Sequence, residues 1–477
     1  MSYPTPSDPE GRSNSERSQT AVPAPIDLSA KLKIHVVGVG GAGMRAIASV
    51  LASMGHEVSG SDLKPSPGLD RLRAEGVTAV VGHSADNVSD VDLVTRSTAV
   101  PSSNPEVRVA TERSIPVVSR ADILSAISRV RSSISVAGTH GKTTTSSMLA
   151  VIMREAGLEP SFIIGGELNE IGSGAVWSEV DGWFIVEADE SDGTFLALDS
   201  AAAIITSVEP DHLSHYGSEA ALTDAFRDFG EAVSGPVVVC LDDPGATALA
   251  GGSNIITYGT DQRADWVIND YVGKRTSAAF SITGPDGPLG AFELATPGLH
   301  NVRNATAATV MALQLGADVD AARRALGRFG GVARRFQLRG ERDGVTFIDD
   351  YAHLPTEVEA ALEAAGHGEW ARVVCVFQPH RYSRTGDLWR DFASSFDKAS
   401  LVVITDVYAA GEVPIPGVNA KLIVDAVLDA DGCRDLAYIP NREDLRKYLT
   451  DRLRPGDLCL TLGAGDLTTL PDEMLLR

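Results

Sequence analysis

The stretch VAGTHGKTTTS, Val136 to Ser146, has the residue types of a phosphate loop at an unusual spacing. A Walker loop places a glycine five residues before the glycine of Gly-Lys-Thr. Here that second glycine is Gly141, position 136 is Val, and the other glycine, Gly138, comes only three residues earlier. The chemistry still suits a phosphate. The loop lies between an apolar strand and a helix expected from about Thr143 to Ala156. Backbone N–H groups at a helix start face outward, and the helix dipole favours an anion there. Gly138 and Gly141 let the backbone close on an oxyanion without a Cβ clash. Lys142 can neutralise phosphate charge, and the Thr143 hydroxyl can ligate Mg²⁺. Thr139, His140 and Thr144 complete the nucleotide-binding run.

Two further strand ends carry matching groups. VEADESDGTFL places Glu187, Asp189, Glu190 and Asp192 after an apolar strand. A carboxylate facing a phosphate loop is a candidate Mg²⁺ ligand, and four acids this close repel one another unless a cation relieves them. SVEPDHLSHY ends another strand with His212, a ligand or general base. Thr143, Glu187 and His212 together make one expected metal–nucleotide site. Earlier in the chain, Gly38, Gly40 and Gly43 form G-x-G-x-x-G after the strand KIHVVGVG, with Gly41 between them. Asp62 ends the next strand, EVSGSD. That is the dinucleotide fingerprint by spacing. Physically it requires only a diphosphate or similar anion on a helix N-terminus, so nucleotides, UDP-sugars and flavins all qualify.

The elements that must position these groups fall into three α/β blocks, at ~100–200 residues per domain. The first alternates strands with helical stretches, including one over Met44–Met54, up to about Arg131, which signals a parallel sheet. The second runs through SSISVAG, GWFIVEAD, AAAIITSVEP and GPVVVCL into a β-rich part, SAAFSITGPDGPLGAFELAT, and then a turn and helix in PGLHNVRNATAATVMALQLG. The third begins near Arg334, with strands in VTFIDDYAH, RVVCVFQPH, LVVITDVY and DLCLTLGAG. Open parallel sheets bind ligands at such strand ends. The expected division is a disordered tail over 1–30 and domains over 31–130, 131–333 and 334–477.

A net charge of −23 disfavours nucleic acid, and no basic patch compensates for it. Cations must therefore be concentrated locally, which singles out Lys142, Arg334–Arg335 and Arg381 with Arg384. No apolar run approaches a membrane span, and the N-terminus has no apolar core of a secretory signal. The four cysteines, Cys240, Cys375, Cys433 and Cys459, lack metal-ligand spacing. A cytoplasmic protein without membrane insertion, monomeric or weakly dimeric, is expected.

The combined motifs resemble the Mur ligases of peptidoglycan synthesis. The resemblance runs from about Ile34 to Asp466 through VVGVGGAGM, VSGSD, VAGTHGKTTT, EADESD, VEPDHLSHY, TPGLHNVRNA, ARRF, DDYAHLPTE, QPHRYSRT, DVYAAGE and GAGD, in that order. It implies a Rossmann-like UDP-binding domain, a central P-loop ATPase-like α/β domain and a Rossmann-like C-terminal domain. It also implies ATP and Mg²⁺, with UDP-N-acetylmuramate and L-alanine joined through an acyl phosphate. By the same resemblance, the Gly38–Gly43 loop, Asp62 and Ser97 serve the UDP-sugar. His300, Asn301 and Asn304 meet adenine, and Asp350 lies near the ATP ribose. Lys142, His212 and Arg335 act at the transferred phosphoryl group. Tyr351, His353, His380, Arg381 and Arg384 line the amino-acid pocket, where an arginine fork suits a carboxylate.

Two features depart from or divide the family. The usual DDYGHHPTE is here DDYAHLPTE, with Ala352 and Leu354. Some sister ligases carry a carbamylated lysine after the DH motif, but no Lys occurs between His212 and Lys274, so no carbamate is expected. A recycling ligase that attaches an intact tripeptide to the same sugar nucleotide remains an alternative. So do a nicotinamide-dependent oxidoreductase, which would leave the Gly138 loop without a purpose, and a non-catalytic nucleotide sensor.

Overall fold

The structure is a computed structural model, and it describes residues 26–97, 99–211, 213–430 and 435–476. Most of the expected tail, together with His212 and Cys433, lies outside the described residues. Among the described residues the chain forms three sheets, of five, ten and six strands, each covered by helices.

The first sheet is parallel, in the order Thr78–Val81, Glu57–Asp62, Lys33–Val37, Leu93–Arg96, Val117–Ser119. KIHVV has four of its five residues buried because helices cover both faces. The strand order reverses between Lys33–Val37 and Leu93–Arg96. An open sheet has its ligand crevice at such a point, and Gly38 and Ser97 are the residues that leave these two strands. The helix begins at Ala42, two residues before the expected start, because Gly41 and Ala42 carry no apolar signal. Met44, Ile47, Ala48 and Leu51 form its buried stripe.

The central sheet explains why distant motifs meet. Strand Ser133–Ala137 lies between Phe184–Glu187 and Ala202–Ile205, all parallel, with Val136 opposite Glu187 and Ala137 opposite Ile205. The phosphate loop, the acidic turn and the segment from Thr206 therefore leave three neighbouring strands on one side. The β-rich part forms an antiparallel edge, Ala278–Gly284 with Gly287–Leu294. Helix Lys142–Glu155 buries Met148, Leu149, Ile152 and Met153 in a core shared with helix Leu299–Gln314. Each such side chain contributes about 1.5–3 kcal/mol, which anchors the loop at the helix start.

The third sheet is parallel apart from one edge strand, with Val345–Asp350, Asp457–Leu462 and Arg372–Phe377 adjacent. Asp350, Gln378–Arg384 and Gly463–Asp466 thus emerge side by side. Cys240, Cys375 and Cys459 are buried free thiols. No helix among the described residues is long and apolar enough to cross a membrane.

Candidate functional site

The central loop is shaped by its glycines. Gly138 has φ +130°, and a Cβ there would sit 2.2 Å from Thr206 Oγ1. Gly141 has φ +78°, and a Cβ there would come within 2.5 Å of Asn304 Oδ1. Only glycine lets the loop lie this close to its neighbours. Lys142 opens the helix. Its ammonium donates to Glu190 Oε2 at 2.8 Å and Oε1 at 3.0 Å, and to the carbonyl of Gly138. Burial alone would lower its pKa, but Glu190 outweighs that and raises it, so the lysine is a fixed cation. The charge run around Glu187 is therefore divided between neighbours rather than left to repel. Glu190 takes Lys142, and Asp189 lies 3.5 Å from Arg120.

Glu187 is different. Its Oε1 accepts the Gly165 N–H at 2.6 Å and lies 3.5 Å from Ser146 Oγ, and burial pushes its pKa up. The Thr143 hydroxyl works against that rise. A half-buried carboxylate with a raised pKa beside a hydroxyl suits a hard cation that prefers oxygen ligands. No group of three His, Cys, Asp or Glu arranged to hold a metal occurs among the described residues. The third expected ligand, His212, lies outside them.

A cleft of about 340 Å³ opens beside the loop, between the central and C-terminal sheets. His140, Gly141, Thr144, His300, Asn301, Asn304, Arg335 and Asp350 all line it, so it gathers expected residues from three separated segments. Lys142, Thr143, Gly138 and Thr139 lie beside the cleft rather than in its wall. His300 is held near pKa 4 by burial and then by Arg303 and Arg335, so its ring is neutral. Burial lifts Asp350 to about 6 despite Arg335, while its oxygens accept the N–H groups of Phe336 and Ala352 at 2.7 Å each. The sequence reading missed several wall residues: Glu209, Asp242, Arg303 and Glu357. Arg303 Nε donates to Asp242 Oδ2 at 2.6 Å. Asp242 follows the strand Val237–Cys240, and its place at a parallel strand end was the signal that could have found it.

In the first domain, Gly40 N–H donates to Asp62 Oδ2 at 2.9 Å, and a Cβ on Gly40 would lie 2.7 Å from that oxygen. Asp62 therefore shapes the loop. Ser97 Oγ is 3.6 Å from where a Cβ on Gly38 would be, so Ser97 and the loop share one crevice. Arg120, unnoticed in sequence, lies against Gly43 with its Nε buried and unpaired.

The C-terminal residues form an aromatic and imidazole cluster. Tyr351 packs edge-on against His353, and His353 against His380, at 5.4 and 5.7 Å between ring centres. Arg334 and Arg335 lie over Tyr351. Burial lowers His353 to about 4 and His380 to about 3, so both rings are neutral. Arg384 meets His380 Nδ1 at 3.2 Å and reaches Asp211 of the central domain at 3.4 Å. Arg381 is exposed and has φ +70°, an unusual strain for a non-glycine residue and one often found at functional sites. Ala352 and Leu354, the two departures, are both buried, and Ala352 packs in the C-terminal core.

Comparisons with known proteins agree with this arrangement. Three family models match in order: Mur ligase family, catalytic domain, over residues 33–132; Mur ligase middle domain over 136–312; and Mur ligase, glutamate ligase domain, over 334–465. UDP-N-acetylmuramate–L-alanine ligases of Anaeromyxobacter sp. (strain Fw109-5) and Rubrobacter xylanophilus are 44% and 45% identical, over 93% and 94% of this chain and 97% and 100% of their own. A solved UDP-N-acetylmuramate-alanine ligase from Thermotoga maritima gives a TM-score of 0.78 at 28% identity, over 94% of this chain and 99% of that one. A murein peptide ligase from Psychrobacter arcticus shares the fold, with a TM-score of 0.67 at 24% identity over 93% of this chain and 98% of its own. With all three of its sheets matched by family models in sequence order, the chain belongs to the Mur ligase family.

Proposed function

We propose that the protein is an ATP-dependent ligase that joins L-alanine to the lactyl carboxylate of UDP-N-acetylmuramate in peptidoglycan precursor synthesis. The observation that carries this reading is the single cleft lined by the phosphate loop, the His300–Asn304 segment and Asp350, beside the C-terminal imidazole cluster. The full-length likeness to L-alanine ligases supports the choice of amino acid.

A carboxylate is a poor electrophile at neutral pH. ATP supplies the γ-phosphoryl group that makes it an acyl phosphate, from which the alanine amine displaces phosphate to leave an amide. The residues of this chain bind, orient and neutralise. The Gly38–Gly43 loop and Ser97 hold the diphosphate of the sugar nucleotide. Lys142 and the loop amides hold the phosphates of ATP, with Arg335 screening the approach of two anions. Phosphoryl transfer is mostly positioning and electrostatics, so these fixed charges suffice. Thr143, Glu187 and His212 would hold Mg²⁺, which supplies further neutralisation of phosphate charge. Arg381 and Arg384 fork the alanine carboxylate, while neutral His353 and His380 leave the amine unopposed by cationic rings.

Phosphate release tests this directly, with ATP, Mg²⁺ and UDP-N-acetylmuramate, adding in turn L-alanine, D-glutamate and the tripeptide L-Ala-γ-D-Glu-meso-diaminopimelate. Release that requires both the sugar nucleotide and L-alanine is expected. Release with the tripeptide alone would move the protein to the recycling branch. A reaction site in the cytoplasm follows from the soluble substrates of the proposed reaction.

A further inference from the structure

His140 lies within the phosphate loop, yet both its ring nitrogens are committed to carboxylates. Nδ1 is 3.1 Å from Glu357 Oε1, on the C-terminal helix Pro355–Gly366. Nε2 is 3.2 Å from Glu209 Oε2, which follows the central strand Ala202–Ile205. Thr356 closes the arrangement, with its hydroxyl donating to Glu209 Oε2 at 2.9 Å and lying 3.3 Å from His140 Nε2. The three ionisable side chains are largely shielded, at 17%, 32% and 14% exposure for His140, Glu209 and Glu357.

The link continues through Glu357. Its second oxygen accepts the backbone N–H of His353 at 2.9 Å and of Leu354 at 3.2 Å. One carboxylate thus joins the phosphate loop to the backbone that carries His353. Burial alone would lower His140, but Glu209 and Glu357 outweigh it and hold its pKa at about 10, so the ring is cationic at neutral pH. His353 is neutral there, so the charge opposite Glu357 comes from His140, with Arg335 adding to it. Without that cation, two shielded carboxylates would face each other across the domain boundary, and like charges at such range disfavour the contact.

We propose that His140 is a positioning residue that docks the C-terminal domain onto the phosphate loop through Glu357, setting the His353 cluster over the phosphate site. The kinetic part of this proposal rests on the ligase reading above, and the docking part does not. Glu209 keeps the ring in register with the central sheet, and Glu357 passes that register to the amino-acid pocket. The geometry makes the loop a gauge of domain closure as well as a phosphate cradle.

The test compares full-length wild-type protein with His140→Ala, Glu357→Gln and the double variant. Small-angle scattering should show a larger radius of gyration for His140→Ala than for wild type in the same buffer. In the steady state the apparent KM for L-alanine should rise ~10-fold or more, and by a larger factor than the KM for ATP. The double variant should be no worse than the worse single one, because both remove the same link. Glu357→Gln, whose carbonyl can still accept the His353 and Leu354 amides, carries the comparison if His140→Ala fails to fold. An unchanged radius of gyration would overturn the proposal. So would a loss of ATP affinity with no change in the alanine KM, which would make His140 a nucleotide contact only. If wild type shows no alanine-dependent phosphate release, the ligase reading fails, and the scattering comparison still decides the docking role.

Discussion

The molecule uses the strand–glycine loop–helix turn twice, and the two copies do different work. After Lys33–Val37, the loop at Gly38–Gly43 offers backbone amides and has no lysine at the helix start. Its nearest acid, Asp62, takes the Gly40 amide, and the nearby cation, Arg120, comes from another helix. After Ser133–Ala137, the loop at Gly138–Thr144 carries its own ammonium on Lys142, oriented by Glu190, and stands next to the half-buried carboxylate of Glu187. A helix N-terminus alone can hold an anion. Moving a phosphoryl group also needs fixed charge where charge develops. On the proposed reading, the first loop holds a substrate and the second reacts one.

The largest effect that could break this contrast comes from Lys142→Ala. It should lower turnover by ~10³-fold or more, and it should also lower the melting temperature, because buried Glu190 loses its partner. Near-normal kcat would remove the distinction between the loops. Glycine substitutions sharpen it. Gly138→Ala would force a Cβ to 2.2 Å from Thr206 and should abolish ATP binding. Gly40→Ala would press on Asp62 at 2.7 Å and should raise the KM for the sugar nucleotide while leaving ATP affinity intact. Paired calorimetric titrations of both ligands check this, and identical losses for both variants would refute separate roles.

A smaller effect belongs to the third region. Arg381→Ala should raise the KM for L-alanine by ~10-fold or more, as for a charge-assisted hydrogen bond worth ~1.5–3 kcal/mol, with the KM for ATP little changed. An unaltered alanine KM would take Arg381 out of the pocket.

The smallest expected effect concerns the support of the first loop. The Ser61 carbonyl accepts the N–H groups of Gly38 and Val39, and its hydroxyl donates to buried Glu106 at 2.6 Å. Burial would raise Glu106, but His35 at 3.6 Å and hydrogen bonds from Ser61 and Asn87 outweigh it and depress its pKa from 4.5 to about 2. A depressed carboxylate stabilises the fold above its unfolded pKa and loses that contribution as pH falls through the folded value. Stability should therefore drop between about pH 4.5 and 2 in wild type, and Glu106→Gln should flatten that drop in urea melts across the range. A parallel drop in both proteins would show that Glu106 contributes nothing to it.

Much of the architecture was readable in sequence because it is local. Strand, glycine turn and helix follow one another within a dozen residues, so the positions of Gly38, Gly138 and Lys142 needed no tertiary information. The parallel class followed from apolar strands alternating with helical stretches. What escaped was pairwise and distant. Glu357 meets His140 across 217 positions, and Arg303 meets Asp242 across 61. An acid at a helix start reads as a helix-dipole partner, and nothing local shows that its other oxygen crosses a domain boundary. Asp62 was expected at the ligand crevice, and the structure shows that it also bonds its own loop. Ala352 and Leu354 stood out as departures from the family pattern, and both are buried.

The most direct test of the two-loop account follows an oxygen atom. UDP-N-acetylmuramate labelled with ¹⁸O in its lactyl carboxylate would be turned over with ATP, Mg²⁺ and L-alanine, and the released phosphate read by mass spectrometry. If the carboxylate of the sugar nucleotide held by the first loop takes the phosphoryl group held by the second, one carboxylate oxygen leaves in each phosphate. Unlabelled phosphate, released together with amide product, would contradict the account.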